Sequence, residues 1–173
     1  MTQAPPSRGP IVSSEHLATA EGWQFSELEY GMIMAFNAFS RWMLRCMAAV
    51  GHPDFNPLDI LVLHNLNHRK RDKRLADVAF VLNIEDLHTV NYAVKKLVKA
   101  GLVEGERRGK EMFWRTTPEG RRICADYGKV RELCLIGPAA ATESDFAQLS
   151  RAAQVLRSVA GDYDQAARAA ASL

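Results

Sequence analysis

Six side chains between His88 and Lys99 carry hydrogen-bonding and charge chemistry at helical spacing. At about 100° per residue, His88, Asn91, Tyr92, Lys95, Lys96 and Lys99 fall within roughly 140° of one another. An imidazole, a carboxamide, a phenol and three ammonium groups on one face suit the base edges and phosphates of a nucleic-acid groove. Asn91 has the chemistry to pair bidentately with adenine, and Lys95 to donate to guanine O6 and N7. His88 and Thr89, near the helix start, suit base edges or phosphates. Tyr92, Lys96 and Lys99 suit phosphates. Behind this face, Leu87, Val90, Val94, Leu97 and Val98 form an apolar stripe that packs the helix down.

Two further basic groups flank that helix. Downstream, Arg107, Arg108 and Lys110 crowd a tight hairpin; upstream runs Arg69-Lys70-Arg71-Asp72-Lys73-Arg74. The upstream run reads either as a solvated loop or as phosphate contacts through Arg71, Lys73 and Arg74. Residues 64–131 hold 16 of the 22 Lys+Arg and 9 of the 20 Asp+Glu, a local charge of +7 within a net +2. The rest of the chain is therefore acidic. That asymmetry argues for an anionic partner on one surface, not for general stickiness.

Other chemistries find little support. His64 and His68 lie one turn apart, but no third or fourth metal ligand accompanies them, so solvated histidines are expected. There is no Gly-rich phosphate loop, no G-x-S-x-G and no metal cluster, so neither an enzyme nor a cofactor is expected. Cys46, Cys124 and Cys134 form no CxxC pair and sit in helical apolar patterns, as inert reduced thiols would. No run of 18 apolar residues and no signal-type leader is seen, which argues for no membrane and a cytoplasmic location.

The elements that must position these groups are legible. The Pro-rich start reads as a disordered arm over residues 1–24. An S-x-x-E box at Ser26 and Glu29 opens a helix of about 36 Å from Glu27 to Val50. That helix is apolar on two faces and is expected to touch both its own domain and a partner subunit. Asn56-Pro57 opens a second helix. Leu75 to Leu82 is a short third, ended by a left-handed Asn83. Glu85-Asp86 favours the start of the fourth, which ends in a Schellman cap at Gly101 with Leu102. Strands over Leu102–Arg107 and Lys110–Thr116 follow. Thr117-Pro118 caps another helix, with Ile123, Tyr127, Val130, Leu133 and Cys134 inward. After a break at Gly137-Pro138, Thr142 or Ser144 caps a last helix bearing Phe146, Leu149, Ala153, Leu156 and Val159. Residues 161–173 are an Ala-rich tail. The fold expected is mainly α with a small β-hairpin wing: a winged helix-turn-helix lobe, about 57–120, between dimerisation helices at about 26–50 and 118–160.

This ordered set resembles the MarR family of bacterial transcriptional regulators across roughly residues 25–160. The resemblance rests on Leu75-Ala76-Asp77-Val78-Ala79, Thr89-Val90, Leu97-Val98-Lys99-Ala100-Gly101-Leu102-Val103 and Thr117-Pro118-Glu119-Gly120. It implies a homodimer on a palindromic operator in double-stranded DNA, with half-sites about 10 bp apart. It also implies a small aromatic or phenolic effector, for which Trp23, Phe36, Phe39, Trp42 and Met43 are candidate pocket residues, unless they are plain core and interface. One departure is visible. MarR-like wings commonly carry an Asp-x-Arg pattern, and here Arg108 and Lys110 stand in those places. The competing reading is a winged helix used as a protein–protein module without specific DNA binding.

Overall fold

The computed structural model describes residues 11–141 and 145–173, the Lys70 and Ala141 side chains excepted. The chain divides into two compact units at Val130/Arg131. The first holds α1 (Trp23–Ala49), α2 (Pro57–Asn67), α3 (Leu75–Leu82), α4 (Leu87–Lys99), β1 (Val103–Arg108), β2 (Glu111–Thr116) and nearly all of α5 (Pro118–Arg131). The second holds a π-helical turn (Glu132–Ile136), α6 (Gly137–Ala141) and α7 (Phe146–Ala170).

Capping chemistry sets most of the boundaries. Asn56 accepts the Asp59 N–H while Asp59 accepts the Asn56 N–H, both at 2.9 Å, a reciprocal box ahead of Pro57. Asn83 ends α3 at φ 53°, ψ 49°. Gly101, at φ 72°, donates to Val98 O, and Leu102 donates to Leu97 O at 3.0 Å, the two bonds of a Schellman cap. Thr117 then does two jobs. Its hydroxyl donates to Gly101 O at 2.7 Å and accepts the Gly120 N–H at 3.0 Å, so the end of α4 and the start of α5 share one side chain.

Beneath these caps lies a core of Met43, Met47, Ile60, Leu63, Leu66, Val78, Val90, Val94, Leu97, Leu102 and Ile123, with Cys46 and Tyr127. The hairpin β1–β2 is antiparallel and pairs Arg108 with Glu111 across a Gly109-Lys110 turn, with Gly109 at φ 63°. A third segment joins it. Lys73 exchanges both backbone hydrogen bonds with Trp114, at 3.0 and 2.8 Å, so the charged run upstream of α3 forms a bridge to β2.

Three boundaries depart from sequence expectation. Ser26 does not cap α1. The helix begins at Trp23, and the buried Ser26 hydroxyl donates to Leu17 O at 2.6 Å, tying a 3-10 turn (Glu15–Leu17) against it. Residues 11–24 are thus partly structured, while residues 1–10 of the expected arm lie outside the described residues. Gly137-Pro138 does not break the chain. The widened π-helical turn leads into α6, whose first turn tolerates a proline that has no N–H to offer. Asp145 caps α7, accepting the N–H groups of Ala147 and Gln148; Thr142 and Ser144 lie outside the described residues. The Ala-rich tail is helical through Ala170.

Each unit leaves apolar side chains in solvent. In the first, Phe25, Ile33, Met34, Phe36 and Phe39 of α1 are exposed. In the second, Leu133, Phe146, Leu149, Val155 and Leu156 are exposed, and α7 buries no residue at all. Leu133 and Cys134 are therefore solvent-facing, against the inward placement that periodicity suggested.

Candidate nucleic-acid interface

The helix that bears the arc, α4, is fixed first at its start. The Asp86 carboxylate accepts the His88 N–H at 2.8 Å, and the Thr89 hydroxyl donates to Asp86 O at 2.8 Å. Thr89 thereby commits its proton to the cap. Val90, Ala93, Val94 and Leu97 are buried behind the helix. The packed stripe is narrower than expected: Leu87 and Val98 are 46% and 41% exposed, and Ala93 takes the central place.

On the opposite side His88, Tyr92, Lys95 and Lys99 stand in solvent, with no ion pair recorded for either lysine among the described residues. Asn91 is half-buried. It lines a cleft of about 390 Å³ together with Arg74 and Ala76 at the start of α3 and Glu111 and Met112 of the hairpin. Trp114 lines the same cleft, and its indole N–H is buried without a hydrogen-bond partner among the described residues. Periodicity gives no hint of that donor, because the cleft is assembled from α3, α4 and β2.

Lys96 departs from the other lysines of the arc. Its ammonium donates to Asp59 Oδ2 at 2.8 Å and to Asp54 O at 2.6 Å, and lies 5.3 Å from the Phe55 ring centroid. It points back into the protein, at the edge of the arc nearest α2. A helical wheel places the residue but says nothing of what the neighbouring helix offers it.

The basic run upstream of α3 resolves into different roles. Lys73 is buried, and its ammonium donates to the backbone and side-chain oxygens of Asn65. Desolvation, then the nearby Arg71 and Arg69, push its pKa below the usual lysine value. Its ammonium is thus engaged within the fold. Arg74 pairs with Asp77 and Glu111, both at 3.0 Å, so its guanidinium joins α3 to the hairpin. The hydrogen bonds it donates to these carboxylates, Asp77 foremost, push its pKa above the usual arginine value. Of the three, Arg71 alone is exposed without a recorded ion pair among the described residues.

A similar sorting applies to the wing. Arg108 bonds to Asp72 and to Glu106 (2.7 Å) and lies 5.0 Å over the Phe113 ring. Arg115 bonds to Glu104 at 2.8 Å and Glu106 at 3.1 Å. The Arg108 guanidinium holds the Glu106 carboxyl below its ordinary pKa. Arg108 is thus engaged by carboxylates on two sides, whereas among the described residues Arg107 makes only a long bond to Gly109 O, 3.4 Å, and Lys110 is open at the turn.

The proposed pocket residues do not share one environment. Met43 is 1% exposed and belongs to the core, Trp23 and Trp42 are half-buried, and Phe36 and Phe39 are 60% and 48% exposed. His64 is not solvated either. It packs edge-on against Tyr127, ring centroids 4.5 Å apart, with its Nε2 buried and unpartnered, and burial lowers its pKa. Cys46 and Cys124 are buried, and burial pushes the Cys124 thiol up to about 11. No group of three or more potential metal ligands occurs among the described residues, and no described helix is long and apolar enough to cross a membrane.

Residues 55–120 match the sequence model of a family described as a winged helix DNA-binding domain. No curated protein sequence matches the chain. Among solved structures, the chain is similar to a MarR family transcriptional regulator from Rhodococcus sp. RHA1. The TM-score is 0.64 at 14% identity, covering 81% of this chain and 96% of that one. It is also similar to a mutant MarR from E. coli complexed with operator DNA, with TM-score 0.63 at 16% identity, covering 79% and 95%. A third, NadR in complex with 4-hydroxyphenylacetate, aligns with TM-score 0.58 at 16% identity, covering 76% and 91%. At these identities the likeness is one of fold.

Proposed function

We propose that this chain, which has the fold of the MarR family regulators and a winged helix DNA-binding domain over residues 55–120, is a sequence-specific transcriptional regulator. It acts as a homodimer on a palindromic operator. The observation that carries the reading is the α4 face. His88, Tyr92, Lys95 and Lys99 are exposed and Asn91 half-exposed, opposite a helix side on which Val90, Ala93, Val94 and Leu97 are buried. A rigid helix with hydrogen-bonding and cationic groups outward is what major-groove readout requires. In this reading Asn91 and Lys95 read bases, with His88 at the helix start. Tyr92, Lys99, Arg71, Arg107 and Lys110 contact phosphates.

Dimerisation is supported by the solvent-facing aromatic and aliphatic side chains of α1 and, separately, of α7, since apolar groups gathered in solvent on one helix mark an interaction surface. Two copies related by a two-fold axis present their α4 helices to successive major grooves, about 10 bp apart. Phe36, Phe39, Trp23 and Trp42 remain the candidates for an aromatic or phenolic effector; NadR, a relative in fold, is complexed with such a molecule. Met43 is withdrawn from that set by its burial.

The test is selection of genomic fragments on the purified protein against excess random competitor, with the mass in solution measured alongside. Recovery of a palindrome by a dimer supports the reading. Recovery of none supports a protein–protein module in its place. Release of the selected fragment by 4-hydroxyphenylacetate or a related phenol tests the effector separately.

A further inference from the structure

We infer that Lys96 positions the reading helix and does not contact DNA: held on Asp59, it fixes the rotation of α4 on α2 and so decides which side chains meet the groove. This rests on the DNA-binding reading above and adds to it a residue that sets specificity without touching a base.

The anchor is a single carboxylate with two duties. Asp59 Oδ2 accepts the Asn56 N–H at 2.9 Å, which starts α2, and the Lys96 ammonium at 2.8 Å, which lies in the last turn of α4. Asp54 O, at 2.6 Å from the same nitrogen, and the Phe55 ring complete its surroundings. The Asp59 side chain is 1% exposed and the Lys96 side chain 31%. Asp59 Oδ1 has no partner, and no cation other than Lys96 is paired with Asp59 among the described residues. If Lys96 swung out to a phosphate it would strand a buried charge, a change that costs far more than one exposed ionic contact returns.

Rotation matters because the groove-facing side chains turn with the helix. Val90, Ala93, Val94 and Leu97 are buried aliphatic groups, and a single dispersion contact between such groups is not directional. A hydrogen-bonded ion pair is. Side-chain tips lie about 5–6 Å from a helix axis, so a turn of about 20° moves them by about 2 Å. That displacement is enough to lose a bidentate contact from Asn91 or Lys95 to a base.

The experiment uses full-length protein, the operator duplex recovered by selection and a random duplex of equal length. Dissociation constants are measured across salt concentration for wild type, Asp59→Asn, Lys96→Met, the double variant and Lys99→Met. If Lys96 positions α4, Asp59→Asn and Lys96→Met each lower the operator-to-random ratio about tenfold with an unchanged salt slope. The double variant is then no worse than either single one. If Lys96 is a phosphate contact, Asp59→Asn frees it, tightens binding to both duplexes and steepens the slope by about one unit. That result, or a shallower slope in Lys96→Met matching Lys99→Met, overturns the inference. So does a loss of thermal stability with an unchanged ratio at a temperature where every variant is folded. If Lys96→Met does not fold, Asp59→Asn and Lys99→Met alone decide, on the operator-to-random ratio and the salt slope. If wild type binds neither duplex, the DNA-binding reading fails and urea midpoints decide the clamp: additive effects of Asp59→Asn and Lys96→Met overturn it.

Discussion

A side chain on Gly120 would collide with Leu102: a Cβ built there lies 2.0 Å from the Leu102 carbonyl oxygen, which itself accepts the Thr117 N–H at 3.0 Å. Backbone meets backbone at this point, so neither partner can yield. Gly120→Ala should lower unfolding free energy by about 3 kcal/mol, read as a shifted urea midpoint at constant m. A midpoint within error of wild type would show that α5 can move off the end of α4 without loss.

Acid should destabilise the fold through His64. Burial lowers the pKa of this imidazole below its ordinary value of about 6.5, and Tyr127 packs edge-on against it. Between the two values the unfolded chain binds a proton that the folded chain refuses. Stability is therefore full above about 6.5 and falls as the pH drops from there toward the folded pKa. His64→Phe, which keeps a ring against Tyr127, should flatten the wild-type loss between pH 7 and pH 5 in denaturant titrations. Parallel curves for the two proteins would remove His64 as the source.

On the α4 face, Asn91→Ala should cost about 1–3 kcal/mol on the operator and little on random duplex, relaxing sequence preference. Lys99→Ala should weaken both duplexes alike and make the salt slope shallower by about one unit. An equal loss on operator and random DNA for Asn91→Ala would identify it as a backbone contact or a purely structural residue.

Removal of wing cations should separate them by their partners. Arg108 is engaged by Glu106 and Asp72, whereas Lys110 stands open at the turn. Lys110→Ala should make the salt slope shallower by about one unit, while Arg108→Ala leaves it nearly unchanged. A reversed order would mean that the carboxylates surrender Arg108 to phosphate on binding.

Thiol labelling of the native protein should find one reactive site. Cys134 is exposed, whereas Cys46 and Cys124 are buried and the Cys124 thiol is pushed up to about 11. At pH 8 a maleimide should modify Cys134 and leave the other two until denaturant is added. Rapid labelling of Cys124 in the native state would show that α5 opens readily.

Local chemistry decided what could be read early. Asn56, Asn83, Asp86, Gly101 and Thr117 act on backbone groups within a few residues of themselves, so the starts and stops around α2 to α5 are written in short stretches. The β-hairpin and its turn follow from Gly109 in the same way. Ser26 shows the limit of such signals. A serine followed three residues later by glutamate has the pattern of a cap, yet a more distant carbonyl, Leu17 O, claimed its hydroxyl.

The sequence alone determined the order of the helices, the limits of α2 to α4 and the wing, and that one face of α4 is polar and basic, because capping, turn conformation and periodicity are properties of neighbouring residues. Only the tertiary structure decided which basic groups are available to a partner. Lys96 meets Asp59 across 37 positions and Arg108 meets Asp72 across 36, while Lys73 is drawn into the hairpin by Trp114. Charge pairing acts through space and not along the chain. A run of lysines and arginines becomes a binding surface only where folding leaves it no carboxylate of the chain's own to pair with.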